Sequence, residues 1–293
     1  MVDILDAIIN YSEMENRSMS EIYSSTNRIN RVGDRLEYFN MDLFCGSFDK
    51  ETKDEKEKEY SKHFSWLGNK NHPPDFMIEG GEAFEVKKTT SKAGSIQLNS
   101  SHPHQKLSSS YERITEACRN CENDIGGWEE KDLVYTLGRV PRGESDLDFM
   151  WMVYGDCWSA PDSIYRKLSE NLSEKITEAV GELNYGNLSS DTNEIGKVHE
   201  TDPLGRTKLR IRGMWIMSHP ANYFSQHIDD YKAKIENGQP LFVVMRISKF
   251  DKLPEDKKQK VRESEDVRVE EIDIPDPENP ANRINALMFE VIV

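Results

Sequence analysis

Asp75, Glu85 and Lys87 are the residues of this chain whose types and spacing are best suited to chemistry. They lie in residues 73–88, which read Pro-Pro-Asp-Phe-Met-Ile-Glu-Gly-Gly-Glu-Ala-Phe-Glu-Val-Lys-Lys. Residues 75–78 read as a short strand entered through two prolines, which cannot themselves serve a central ladder. Gly80-Gly81 is a hairpin signal because both residues tolerate positive φ, and residues 83–89 return as a second strand. Side chains alternate along a strand, so Glu85 and Lys87 share one face while Phe84 and Val86 point to an apolar one. Asp75, at the start of the partner strand, comes near the same polar edge. Two carboxylates and a lysine thereby converge at the end of a hairpin.

Two carboxylates assisted by a backbone carbonyl, here that of Val86, suit a hard, oxygen-seeking cation such as Mg²⁺. Such an ion polarises a phosphoryl oxygen and acidifies a bound water. A lysine two residues beyond the carboxylate can orient that water and offset charge on phosphorus. The same charges on an ordinary hairpin would merely face water, but the apolar far face of the second strand favours a site. Pro74-Asp75 followed by Glu85-Val86-Lys87 resembles the signature of the PD-(D/E)xK nuclease superfamily.

The elements that must position these groups come next. Ile29, Val32, Leu36, Phe39 and Leu43 recur at helical spacing. Gly33 and Glu37 are four apart on that helix; a glycine there would admit another backbone closely, and a helix packed on the hairpin could bring Glu37 to the metal edge as a third acid. Ile4, Leu5, Ile8 and Ile9 mark a docking helix at the start. Residues 51–62 are a dense mixed-charge run, read as a solvated helix or loop. Residues 95–104 read as a short strand ending in polar side chains, followed by Lys106; Asn99 and Ser100 there could bond phosphates or base edges. Residues 131–139, 149–158, 241–248 and 286–293 read as strands. Between the last two lies a charged, proline-bearing loop. Residues 161–184 read as a helix with Ile164, Leu168, Leu172, Ile176 and Val180 as its apolar stripe, and residues 184–198 as loop. In residues 202–215, Arg206, Lys208, Arg210 and Arg212 alternate, so a strand would put four cations on one face. That favours an anionic partner, and arginine is the usual bidentate reader of guanine. The sum is an α/β fold, a central mixed β-sheet flanked by helices.

The 293 residues can bury an ample core. A net charge of −15 argues against a general nucleic-acid binder, yet not against a DNA enzyme whose cations are gathered in one cleft. No apolar run approaches a membrane span and no export signal opens the chain, so the expected compartment is the cytoplasm. Of four cysteines, Cys118 and Cys121 have a zinc or redox spacing, but without a second pair the plain expectation is buried thiols, with a structural zinc using Cys157 as the alternative.

Several segments together resemble the NgoPII-type restriction endonucleases: residues 27–37, 67–75, 85–88, 98–101, 114–122 and 202–215, in that order across about residues 24–225. The resemblance implies a restriction-endonuclease-like PD-(D/E)xK core in one domain spanning residues 1–293. Within it a catalytic core would occupy about residues 27–160, with additions for DNA recognition and dimerisation about residues 161–293. It further implies a homodimeric, Mg²⁺-dependent type II enzyme cutting double-stranded DNA within GGCC, paired in function with a cognate DNA methyltransferase that it does not bind. Asp75, Glu85 and Lys87 match the catalytic positions and Glu37 the upstream helical acid. Chemistry alone nominates Asn99, Ser100, Lys106, Arg119, Asn120, Arg206, Arg210 and Arg212 for DNA contact. Two readings compete: a nuclease of the same fold directed to DNA structure in repair or recombination, and a non-enzymatic acidic binding module.

Overall fold

The computed structural model describes residues 1–14, 19, 28–69, 72–99, 101–144, 146–182, 187–188 and 195–292. Its main sheet is built from β1 (Phe64–Asn69), β2 (His72–Ile78), β3 (Ala83–Thr89), β6 (Glu130–Arg139), β7 (Phe149–Tyr154), β12 (Leu241–Arg246), β14 (Arg283–Val291) and β13 (Val267–Pro275), in that spatial order. A short strand, β5 (Lys106–Ser108), pairs with β6 off this path. The sheet is mixed: β3 runs parallel to β6 and β7 to β12, while the other neighbours are antiparallel. Two small sheets stand apart, β10 (Lys208–Ile211) with β9 (Gly196–His199) and β8 (Asn187–Leu188), and β11 (Trp215–Met217) with β4 (Ile96–Asn99). The expected α/β architecture is present, and the main sheet draws strands from both sides of residue 160.

The central strands β7 and β12 are buried almost throughout, as their continuous apolar runs require of strands covered on both faces. Residues 155–158, expected to prolong β7, instead turn into a short helix, α5 (Gly155–Trp158), and residues 247–250 after β12 do likewise. The charged, proline-bearing loop expected before β14 is in fact a helix, Glu255–Glu263, followed by edge strand β13. In β13, Val267, Ile272 and Ile274 turn inward while Arg268, Glu271 and Asp273 stay exposed, a charged rim that discourages pairing with another chain.

Helix α1 (Ile4–Ser12) docks as its spacing requires: Ile4, Leu5 and Ile8 are fully buried, and Asp3 with Asp6 forms a reciprocal capping box. Helix α2 (Arg28–Cys45) buries Leu36, Phe39, Leu43 and Phe44; the side chains of Ile29 and Val32 lie outside the described residues. An added Cβ at Gly33 would meet nothing within 4 Å, so the close backbone approach expected there does not occur. The mixed-charge run folds as α3 (Lys53–Tyr60), and it is not wholly solvated. Lys56 is buried in an ion pair with Asp42, whose other oxygen accepts from Tyr60 Oη at 2.7 Å and Ser47 Oγ at 2.6 Å. Helix α6 (Asp162–Gly181) follows α5 after a short helix, α4 (Glu116–Asn120), has closed the loop before β6. Its apolar stripe divides: Ile164, Leu168 and Leu172 are 53%, 49% and 45% exposed, while Ile176 meets Gly196 of β9.

Candidate active site

The β2–β3 hairpin closes through a turn in which Gly80 takes φ +65° and Gly81 N–H donates to the Ile78 carbonyl at 3.0 Å. A buried ion pair fastens it. Lys131 Nζ meets Glu122 at 2.7 Å and donates to the carbonyls of Ile78 and Gly81, while Glu122 also accepts from Gly80 N–H at 3.0 Å. Under the hairpin Phe76 and Phe84 stack at 4.6 Å, with Phe44 of α2 4.7 Å from Phe84. Burying each such ring contributes roughly 1.5–3 kcal/mol, and the cluster fixes α2 against β3. Glu37 lies two turns before Phe44 on the same face of α2.

The prolines sit where β2 is not paired to β3: that ladder holds only Phe76 with Phe84 and Met77 with Ala83. On the other side β1 bulges between Leu67 and Asn69. An added Cβ at Gly68 would lie 2.2 Å from the Pro74 carbonyl oxygen and 2.6 Å from that of Asp75. Only glycine lets β1 pass so closely behind Asp75, a positioning role that pattern reading did not single out.

Beyond Phe76 and Phe84 the strands present their polar side chains. Asp75 Oδ2 accepts from Val86 N–H at 2.6 Å, and Lys87 is ion-paired with Glu85. Burial, then the charge of Glu85, pushes Asp75 from 3.8 to about 7. Glu37 is raised from 4.5 to about 8, first by burial and then by the charges of Asp75 and Asp34. Burial works against the Lys87 charge, but Glu85 and Asp75 outweigh it and raise its pKa. The structure thus brings Asp75, Glu85, Lys87 and Val86 together, with Glu37 in electrostatic reach. Burial first, and then the mutual repulsion of these carboxylates, keeps two of them from ionising readily.

The nominated DNA contacts scatter. Ser100 and the side chain of Asn99 lie outside the described residues. Lys106 is exposed on β5 and paired with Glu130 at 3.1 Å, near the N-terminal end of β6 and away from Lys87. Arg119 donates to the carbonyls of Ser109 and Tyr111 at 2.7 and 2.9 Å, so its guanidinium organises a loop rather than facing a ligand. Asn120 is exposed at the end of α4. The cationic strand is shorter than expected: β10 spans Lys208–Ile211, leaving Arg206 and Arg212 outside it, and Trp215 joins β11. Lys208 and Arg210 share a face there; Arg206, Lys208, Arg210 and Arg212 are all exposed.

All four cysteines are free; Cys118 and Cys157 are buried, and burial raises the Cys118 thiol to about 12. Among the described residues no helix is long and apolar enough to cross a membrane.

Comparison with known proteins bears on this geometry. The family model described as NgoPII restriction endonuclease matches residues 2–275. The type II restriction enzyme NgoPII of Neisseria gonorrhoeae is 35% identical over 289 residues, covering 98% of this chain and 99% of that protein. No solved structure matches the chain.

Proposed function

This chain belongs to the NgoPII restriction endonuclease family, and from that premise we propose that it hydrolyses double-stranded DNA with Mg²⁺ at GGCC. That it is a type II site-specific deoxyribonuclease follows from the family; the ion, the recognition sequence and the residue roles are our reading. One observation carries the roles: Asp75, Glu85 and Lys87 meet at the end of one hairpin while Glu37 approaches from α2.

Asp75, Glu85 and the Val86 carbonyl would hold Mg²⁺, with Glu37 as a further acid. When bound, the ion supplies Lewis acidity toward a phosphoryl oxygen and an acidified water. The residues of the chain do the rest. The Val86 N–H fixes one oxygen of Asp75 and leaves the other for a cation. Lys87, kept protonated by its carboxylate neighbours, orients the attacking water and offsets charge gathering on phosphorus. Glu37, which tends to hold a proton, can lose it when a cation joins the cluster.

A palindrome is most simply read by two copies related by a two-fold axis, each cutting one strand. The exposed Ile164, Leu168 and Leu172 stripe on α6 is an apolar face that a second copy could cover, which supports a homodimer. Arg206, Arg210 and Arg212 are exposed cations suited to phosphates or guanines. The cytoplasm is the matching compartment, with a DNA methyltransferase protecting the host sites.

A sequenced plasmid digested with Mg²⁺, beside Glu85→Ala and Lys87→Ala proteins, tests the reading. Discrete fragments ending within GGCC, lost in both variants, are expected. A Mg²⁺-dependent smear would remove the recognition sequence, and cutting that persists in the variants would remove the assigned roles.

A further inference from the structure

A second donor cluster faces the same cleft and plays no part in the scheme above. His102 and His104 precede β5, and Asp162 opens α6. His104 Nδ1 lies 3.0 Å from each Asp162 oxygen and His102 Nε2 lies 3.8 Å from Oδ2. The three ligand atoms fall within 4.8 Å of one another. His102 Nε2 is buried and makes no hydrogen bond. Donors of a tetrahedral shell with bonds of roughly 2 Å stand about 3.3 Å apart, a value bracketed by the two His–Asp distances.

The rings are held before any ion arrives. His104 stacks on Tyr111 at 4.6 Å, and its backbone is clasped on both sides by Tyr135 Oη, which accepts from His104 N–H at 2.7 Å and donates to its carbonyl at 3.2 Å. His102 stacks on Tyr165 at 5.5 Å and meets the edge of Trp215. Tyr111 Oη also donates to Asp162. Burial opposes ionisation of Asp162, but the neighbouring imidazoles of His102 and His104 hold its carboxyl well below the usual range. It is thus a ready anionic ligand.

We propose that His102, His104 and Asp162 bind one transition-metal ion of the Zn²⁺ class, with the fourth position open to water or a phosphate oxygen. Imidazole nitrogens favour such ions, whereas the carboxylate cluster at Asp75 and Glu85 favours Mg²⁺. The three ligands line a cavity of about 410 Å³ together with Glu85, Tyr135, Arg113 and Arg166, so water or a phosphate oxygen could reach a bound ion. Glu85, Glu112 and Asp162 carry the negative charge of that lining and Arg113 and Arg166 the positive, so the case for a cation rests on the His–Asp geometry. An ion bound at His104 Nδ1 would take the place of that atom's contact with Asp162, any proton between them passing to solvent. Tyr135, the register partner of Glu85 across β3 and β6, joins the two sites through one side chain.

Full-length protein stripped with a chelator and dialysed into excess Mg²⁺ is titrated with Co²⁺ as a visible reporter and with Zn²⁺ by calorimetry. One equivalent per chain is expected, with a tetrahedral Co²⁺ spectrum. It should be retained in Glu85→Ala and fall at least tenfold in affinity in His104→Ala and in Asp162→Asn. Circular dichroism of the stripped variants, matching that of the parent, excludes loss through unfolding. No Co²⁺ or Zn²⁺ uptake beyond that of His104→Ala overturns the proposal. So does uptake that disappears in Glu85→Ala but persists in His102→Ala, which would assign the ion to the catalytic carboxylates.

Discussion

Asp42 and Asp75 are both largely buried aspartates beside a lysine, and the surroundings of the two differ in kind. At Asp42 one oxygen takes the Lys56 ammonium and the other takes two hydroxyl donors. Asp75 receives one backbone N–H and shares a single lysine with Glu85, while Glu37 adds a further acid. The first cluster is closed and holds α3 to α2. The second is buried and short of positive charge, and burial first, then like charge, pushes two of its acids upward. At Asp42 the buried charge is matched by its neighbours, whereas at Asp75 it is not, and that imbalance is what the proposed cation and substrate site would use.

Asp75→Asn would break the comparison most sharply. It keeps a carbonyl acceptor for Val86 N–H but removes the anion, so cleavage should fall by about a thousandfold or more. The melting temperature of the metal-free protein at pH 8 should rise. A fall in both would mean that Asp75 is an ordinary structural aspartate. Lys56→Met is the mirror experiment: leaving Asp42 unpaired should cost about 3–5 kcal/mol in denaturant unfolding. Cleavage per folded molecule at low temperature should stay within about twofold, unlike at Lys87.

Gly68→Ala tests positioning alone. With its Cβ 2.2 Å from the Pro74 oxygen, the strand must shift behind Asp75, and a displacement near 1 Å should lower kcat by about a hundredfold. An unchanged kcat would show that the bulge can yield without moving the carboxylate.

Proton linkage gives a smaller effect with a definite sign. Asp75 and Glu37 carry folded pKa values of about 7 and 8 against ordinary values of 3.8 and 4.5. The metal-free fold therefore holds protons that the unfolded chain has released. Its advantage is full below about pH 4 and is lost as pH rises through 7 and 8. Thermal melts in chelator should drop by several degrees between pH 6 and pH 9, and Mg²⁺ should restore more at pH 9 than at pH 6. Equal melting points would contradict the assigned crowding. Least of all should Lys106→Ala matter: its exposed pair with Glu130 is worth about 0–1 kcal/mol, and the salt dependence of DNA binding should not change.

Local pattern carried much of this site. The hairpin, with Phe84 and Val86 inward and Glu85 and Lys87 outward, follows from alternation, and α1 and α2 follow from their apolar spacing. Long-range pairing was less legible. His102 and Asp162 are sixty residues apart, and nothing local joins a His-x-His to the first turn of a later helix. The Glu122–Lys131 clasp on the hairpin is hidden for the same reason. Lys56 looked solvated because its neighbours are charged, yet one position of an otherwise exposed helix turns inward. Strand β13 did carry a signal, the alternation of Val267, Val269, Ile272 and Ile274 past one slip, but its acids outweighed it. The cation face at residues 206–212 was over-read: alternation in sequence does not make a strand where β10 has only four residues to pair with β9.

Strand β14 lies between β12 and β13, both before it in sequence, and α1 packs against β14 and the Glu255–Glu263 helix. Helix α1 thus packs both on α2, near it in sequence, and on β14 and the Glu255–Glu263 helix, far from it. Such long-range contacts close more slowly than local ones. Because α1 also packs on α2, the helix that carries Glu37 takes support from both neighbourhoods. It is therefore steadied through α1 by segments more than two hundred residues away in sequence.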